Sequence, residues 1–270
     1  MAVNKTETGE SDLSRRAFLA NTGKAAIGLA IGGVALSLAG CSTDKKAAAE
    51  PKPVDVPAWP WTYAKLDPDA VAKKAHAGFY EGACMYGVAN ALLGELKSKT
   101  GFPFTQIPTE MFKYGEGGVV GWASLCGALN GSLAVITLVS PKDKYGAICN
   151  EIMGWYSQTA LPLYVPENTA KLVTSVSGSP LCHASVTNWC KVSKAGAESK
   201  ERSERCARLT ADVAKHTVEL LNAQADGKFA AAVKLPDSIT GCMSCHGKTG
   251  MNNTRGKMTC VQCHEPHKLP

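Results

Sequence analysis

The sequence predicts a mainly α protein: a helical, cysteine-rich domain followed by a short, loop-rich tail. Three observations predict it. Apolar residues recur at helical spacing through residues 61–234, with no convincing strand alternation and no internal repeat. Residues 235–270 turn polar and carry two C-x-x-C-H motifs. Eleven of the 270 residues are cysteine, far more than ordinary cytosolic chemistry needs. With 45% hydrophobic and 19% charged residues the chain can bury a core. A net charge of +6 is too weak to argue for nucleic acid.

Residues 1–41 read as an export signal rather than as structure. Ser14-Arg15-Arg16-Ala17-Phe18-Leu19 resembles the twin-arginine motif, and an apolar run follows from about Ala25 to Gly40. That run is short for a membrane span, which needs about 20 apolar residues. Leu38-Ala39-Gly40-Cys41 resembles a lipobox, so Cys41 is expected to carry a lipid anchor to a membrane surface. Cleavage at Ala47-Ala48-Ala49 is the alternative, and it would discard Cys41. Residues 42–60, rich in Lys, Ala and Pro, suit a linker. The expected location is the periplasm.

Asp69 to Lys97 forms the first predicted helix, interrupted by Gly78, Gly82 and Gly87. Val119 to Val139 is almost wholly apolar and small, and predicts a buried central helix. Tyr145 to Leu161 predicts another, ended by Pro162. Ser199 is a plausible N-cap for a long helix to about Ala225, with Glu201–Arg205 as an i,i+4 ion pair. Gly127 and Gly131 share a face where another helix could approach closely. Gly115 to Gly118 is no phosphate loop, because no G-K-[ST] follows.

Six cysteines lie in the helical region: Cys84, Cys126, Cys149, Cys182, Cys190 and Cys206. Core thiols, disulfides and an iron–sulfur cluster are the three readings. Cys149 fits the first best. The export signal favours the cluster. The twin-arginine route carries folded proteins, often around a cofactor made in the cytoplasm, and covalent haem is attached only after export.

In the tail, Cys242-Met-Ser-Cys245-His246 and Cys260-Val-Gln-Cys263-His264 are the pattern that attaches c-type haem. Two thiols bind the macrocycle, and the adjacent His246 or His264 lies beneath the iron. Two copies in an exported chain argue against zinc knuckles. Their starts, 18 residues apart, make the two haems near neighbours. For the sixth ligands His267 and His216 are favoured, ahead of His183 and His76. His/His ligation favours electron transfer over catalysis at iron.

Cys126-Gly127-Ala128-x-x-Gly131 resembles the C-G-A-x-x-G motif of a redox-active family named C_GCAxxG_C_C for its four cysteines. Cys84 resembles its first cysteine and Cys206 its last, while the third is Cys182 or Cys190. The resemblance spans roughly residues 79–220. Followed by two C-x-x-C-H motifs, such a domain resembles the split-Soret cytochromes c. That resemblance implies a dihaem, dimeric, periplasmic electron carrier of anaerobic respiration, with stacked haems and axial histidines exchanged between subunits. The expected function is therefore electron transfer between donor and acceptor proteins, through two c-type haems and an iron–sulfur centre. A small haem or iron–sulfur reductase and a thiol-based redox sensor are the alternatives. No nucleophile–base set and no dinucleotide fingerprint supports an enzyme.

Overall fold

In a computed structural model of the chain, residues 55–267 are described. The export signal, Cys41 and most of the linker lie outside them. Helix α1 spans Pro68–Thr100, α2 Gly127–Val139, α3 Lys142–Gln158, α4 Cys182–Ser193, α5 Lys200–Ala225 and α6 Asp237–His246. Short 3-10 turns follow α1 and close the tail at Cys260–Gln262. The mainly α class is as the sequence predicts.

Asp67 caps α1 by accepting from the Asp69 and Ala70 amides, and Pro68 takes the first helical position. The helix is not continuous. Gly82 (φ −161°) and Ala83 (φ 63°) leave helical geometry, and the chain doubles back on itself. Lys74 pairs with Glu95, and a Cβ on Gly78 would stand 3.1 Å from the Cα of Gly87. The element is a helical hairpin whose second arm begins at Cys84. Of the three glycines only Gly82 lies at the break, beside Ala83; Gly78 and Gly87 form the crossing of the arms.

Helix α5 runs through the middle and packs on α1, α2 and α3. Its N-cap is Ser199, whose side chain accepts from the Arg202 amide. Ala207, Leu209, Val213, Ala214, Val218 and Leu221 are buried on it. Ser132 on α2 and Thr217 on α5 share a buried hydrogen bond of 2.6 Å. Among the described residues no helix is long and apolar enough to cross a membrane.

Four expectations need correction. Residues 119–126 are not helical: Val119, Val120 and Ala123 have positive φ, as do Gly117, Gly118 and Gly121. Glycines cost a helix about 1 kcal/mol each, and this run instead closes loops such as Ala123 N–H to Gly117 O at 2.9 Å. Helix α3 starts three residues earlier than expected and stops at Gln158. Leu161 precedes a proline, which disfavours helical backbone. Ala160–Leu161 pairs instead with Ser175–Val176 in a small antiparallel ribbon, so the chain is not free of strand. The pair Glu201–Arg205 does not form. Arg205 is 1% exposed and turns inward, and the helix pairs Glu204 with Arg208 at 2.7 Å instead.

Candidate functional site

Three helix starts converge beside α5. Cys84 opens the second arm of α1, Cys126 caps α2, and Cys182 is the first residue of α4. Cys206, on α5, completes the group. Each of the four thiols lies within electrostatic reach of the other three. Amide donors point at them, from Met85 toward Cys84 and from Ala128 and Leu129 toward Cys126. Helix N-termini favour anionic ligands, thiolates included.

The loops between these helices hold the group in place. The Cys126 amide donates to Pro180 O at 2.9 Å, and the Cys182 amide to Ser124 O at 2.7 Å. The Cys84 thiol leans on Gly115 O at 3.9 Å. The motif glycines make room. A Cβ on Gly127 would lie 2.5 Å from the Cys84 sulfur, and one on Gly131 would lie 2.6 Å from Met85 O.

All of these thiols are free. Burial pushes Cys84 well above the ordinary thiol range, with Cys126, Cys206 and Cys182 raising it further. Burial likewise raises Cys126, and Cys182 is pushed up to about 12. Cys84, Cys126 and Cys182 are therefore protonated, and a metal would displace those protons on binding. Among the described residues no three His, Cys, Asp or Glu side chains close tightly enough to hold a single ion. A multi-iron cluster, with sulfides between its irons, sets its thiolates further apart. The donor set, four thiols and no carboxylate, suits iron–sulfur chemistry.

The structure brings in Cys182 rather than Cys190, which lies two turns further along α4. Cys149 packs against the core near Thr137, as a plain core thiol would. Three residues escaped the sequence reading. Arg205, on the helix beside Cys206, donates to Ser185 Oγ at 2.9 Å and points toward the Cys206 sulfur at 3.9 Å. Burial opposes its charge, but Cys206, Tyr156 and Cys126 more than offset this, so it stays protonated. Tyr156 is fully buried, its hydroxyl lacks a well-formed hydrogen bond, and its polar neighbours include Cys126 and Ser185. The only sequence hint was adjacency to Cys206, and for Tyr156 and Ser185 there was none.

The tail docks on α3 and on the segment before α4. Glu151 accepts from the Ala232 and Val233 amides just ahead of the tail, and Lys257 in the tail reaches Asn150 at 2.7 Å. Gln262, inside the second C-x-x-C-H motif, donates to Ser177 O at 3.1 Å. Cys242 and Cys245 sit in the last turn of α6, on one face, with His246 at its end. The Cys260 thiol meets that of Cys242. The two motifs thus lie side by side. Nε2 of His246 faces Nε2 of His267 at 3.5 Å, while its Nδ1 lies 3.1 Å from Asn253 Oδ1.

The remaining histidines are apart from one another. His216 stacks on Trp155, centroids 4.2 Å apart, with Nδ1 3.0 Å from Glu219 and a buried Nε2 lacking a partner. His76, half-buried, pairs with Glu204 at 3.3 Å and packs on Tyr80 and Tyr164. His183 is exposed.

A helical body with four converging cysteines is the mark of a redox-active class. The family model described as "Putative redox-active protein (C_GCAxxG_C_C)" matches residues 72–220. The split-Soret cytochrome c of Desulfovibrio desulfuricans (strain ATCC 27774 / DSM 6949 / MB) is 36% identical, with 94% of this chain and 95% of that one covered. A solved structure described as "A novel iron centre in the split-Soret cytochrome c from Desulfovibrio desulfuricans ATCC 27774" superposes with a TM-score of 0.72 at 36% identity. It covers 77% of this chain and 91% of its own. This chain belongs to the split-Soret cytochrome c family, and its function is redox electron transfer.

Proposed function

We propose that the chain is an exported dihaem c-type electron carrier with a further iron centre on Cys84, Cys126, Cys182 and Cys206. The observation that carries this reading is the meeting of four thiols from four distant stretches of sequence, in a body to which a tail with both C-x-x-C-H motifs is docked. Cys242 with Cys245, and Cys260 with Cys263, would hold the haems covalently, and His246 and His264 would each supply an iron ligand. His267, whose Nε2 faces that of His246, would supply a further nitrogen ligand to a haem iron. The buried, unpartnered Nε2 of His216 keeps that residue a candidate for the other haem. When bound, haems and iron centre store and pass single electrons; the chain holds them close and excludes water from the thiol site. The iron centre named for the relative supports the presence of a further iron centre here. Cys41 anchors the protein to a membrane facing the periplasm, two copies pair, and separate donor and acceptor proteins exchange electrons with it.

Total iron and acid-labile sulfide, measured on anaerobically purified protein, test the proposal. More than two irons per chain, with sulfide, is the expected result. Serine at Cys84, Cys126, Cys182 or Cys206 should remove that extra iron and leave the haem spectrum intact, whereas Cys149→Ser and Cys190→Ser should spare both. Two irons and no sulfide would leave a thiol-based sensor beside the haems.

A further inference from the structure

Among the described residues the buried guanidinium of Arg205 has no ion-pair partner. Arginine cannot shed its proton, and taking such a charge out of water costs several kcal/mol unless it is paired. At 1% exposure Arg205 has lost its water. Among the described residues it forms no ion pair. Its neutral contacts are Ser185 Oγ at 2.9 Å and the Cys206 sulfur at 3.9 Å. Its Nε is buried with no acceptor at all. Asp212, the buried carboxylate on the same helix, acts on Arg205 only through space, since its oxygens are taken by the Leu163 and Tyr164 amides, both at 2.7 Å. The Tyr156 hydroxyl, a second buried group lacking a full partner, lies near the same thiols.

Two orphaned donors around one thiol group imply an acceptor that the polypeptide does not supply. It must be anionic, since it neutralises a guanidinium. A four-thiolate iron centre meets both conditions: it carries net negative charge, and its inorganic sulfides accept hydrogen bonds. A disulfide meets neither. We propose that Arg205 is the resident counter-cation of the bound iron centre, makes the site specific for an anionic group, and raises its reduction potential. The proposal rests on the iron-centre reading above. Reduction adds one electron to the centre, and a fixed cation beside it stabilises the more negative, reduced form. Lysine keeps the charge but not the planar fork that serves Cys206, Ser185 and the free Nε direction together.

Arg205→Gln and Arg205→Lys in the full-length haem-containing protein provide the test. With the centre in place, Arg205→Gln should shift its reduction equilibrium at least tenfold toward the oxidised form, 59 mV for one electron, with the haem potentials unmoved. Arg205→Lys should shift it less. An intact centre with an unshifted potential in Arg205→Gln overturns the proposal. Arg205→Met covers the case in which the glutamine variant does not assemble. Once chelation has removed the non-haem iron, the methionine variant should match or exceed wild type in urea unfolding. In iron-loaded protein the same change should lower the folded-to-unfolded ratio at least tenfold. Equal loss of stability in both forms, or failure to fold in either, would make Arg205 a purely structural residue. Absence of non-haem iron from the wild type would instead remove the underlying reading, whatever the variants do.

Discussion

Asp212 shows how one buried side chain in this fold sets a pH dependence. It sits on the central helix and accepts the amides of Leu163 and Tyr164, clamping the chain just after the small ribbon. Burial pushes its carboxyl up to about 6 against an ordinary 3.8, although both amide bonds pull it back. Between those values the folded chain binds a proton that the unfolded chain has released. Stability from this group is therefore full below about pH 4 and is lost as pH rises through 6. Two units correspond to roughly 3 kcal/mol. The stability difference between wild type and Asp212→Asn, from urea unfolding, should shrink by about that much between pH 4 and 7. A flat difference would mean that the amide bonds hold the carboxyl at its ordinary value. At this scale the sequence was uneven. Cys84, Cys126 and Cys206 announce themselves through their motif neighbours. The third cysteine stayed open between Cys182 and Cys190 because both lie on one helix, and only tertiary packing says which end of it faces the others. Arg205 was misread for a related reason. Spacing of i,i+4 tells which residues could pair along a helix, and says nothing about which face is buried.

Helices α1, α3 and α5 were legible from their apolar spacing, but only α5 also matches its predicted cap and end; α3 stops short of Pro162 and α1 folds back at Gly82. The boundary of α2 was not, since a run of small apolar residues has no period, and Gly117, Gly118 and Gly121 decide it by adopting positive φ. What links the elements is the segment Ser177–Cys182. One end receives Gln262 of the second C-x-x-C-H motif, and the other supplies Pro180 O to Cys126 and the Cys182 thiol itself. Gly178 makes that docking possible: its φ is +65°, and a Cβ there would lie 2.1 Å from Gln262 Nε2. Alanine at 178 would face backbone strain of about 1 kcal/mol or more and would also push Gln262 off Ser177. Gly178→Ala should therefore loosen the tail, seen as faster amide exchange over residues 257–264, while non-haem iron stays bound. Gln262→Ala should give the same exchange pattern without the strain. Unchanged exchange in both variants would show that the tail is held elsewhere, at Glu151 and Asn150.

Across the whole molecule the two sites depend on different kinds of core. The helical body buries a continuous apolar cluster from Leu66 to Leu221. Among the described residues, the tail beyond Pro236 buries one apolar side chain, Ile239, and leaves Met251 (60% exposed), Met258 and Val261 open. At roughly 25 cal/mol per Å² of apolar surface, one isoleucine contributes about 2 kcal/mol, far short of the ~1–2 kcal/mol of backbone entropy lost for each residue ordered. Covalently bound macrocycles would supply the missing apolar surface, and their outer faces would be covered by the body or by a second copy of the chain. The body needs no such help. Alanine at Cys242, Cys245, Cys260 and Cys263 together should leave residues 236–267 rapidly cleaved by trypsin, at Lys248, Arg255 and Lys257 first. Residues 61–225 should stay protected and keep their non-haem iron. Sedimentation of the same variant separates the two covers: a haem-loaded dimer that becomes a monomer without haem places the second copy on the tail, and an unchanged mass assigns the cover to the body. A tail that stays protease-resistant without haem would mean that the polypeptide contacts at Glu151, Asn150 and Ser177 suffice to order it.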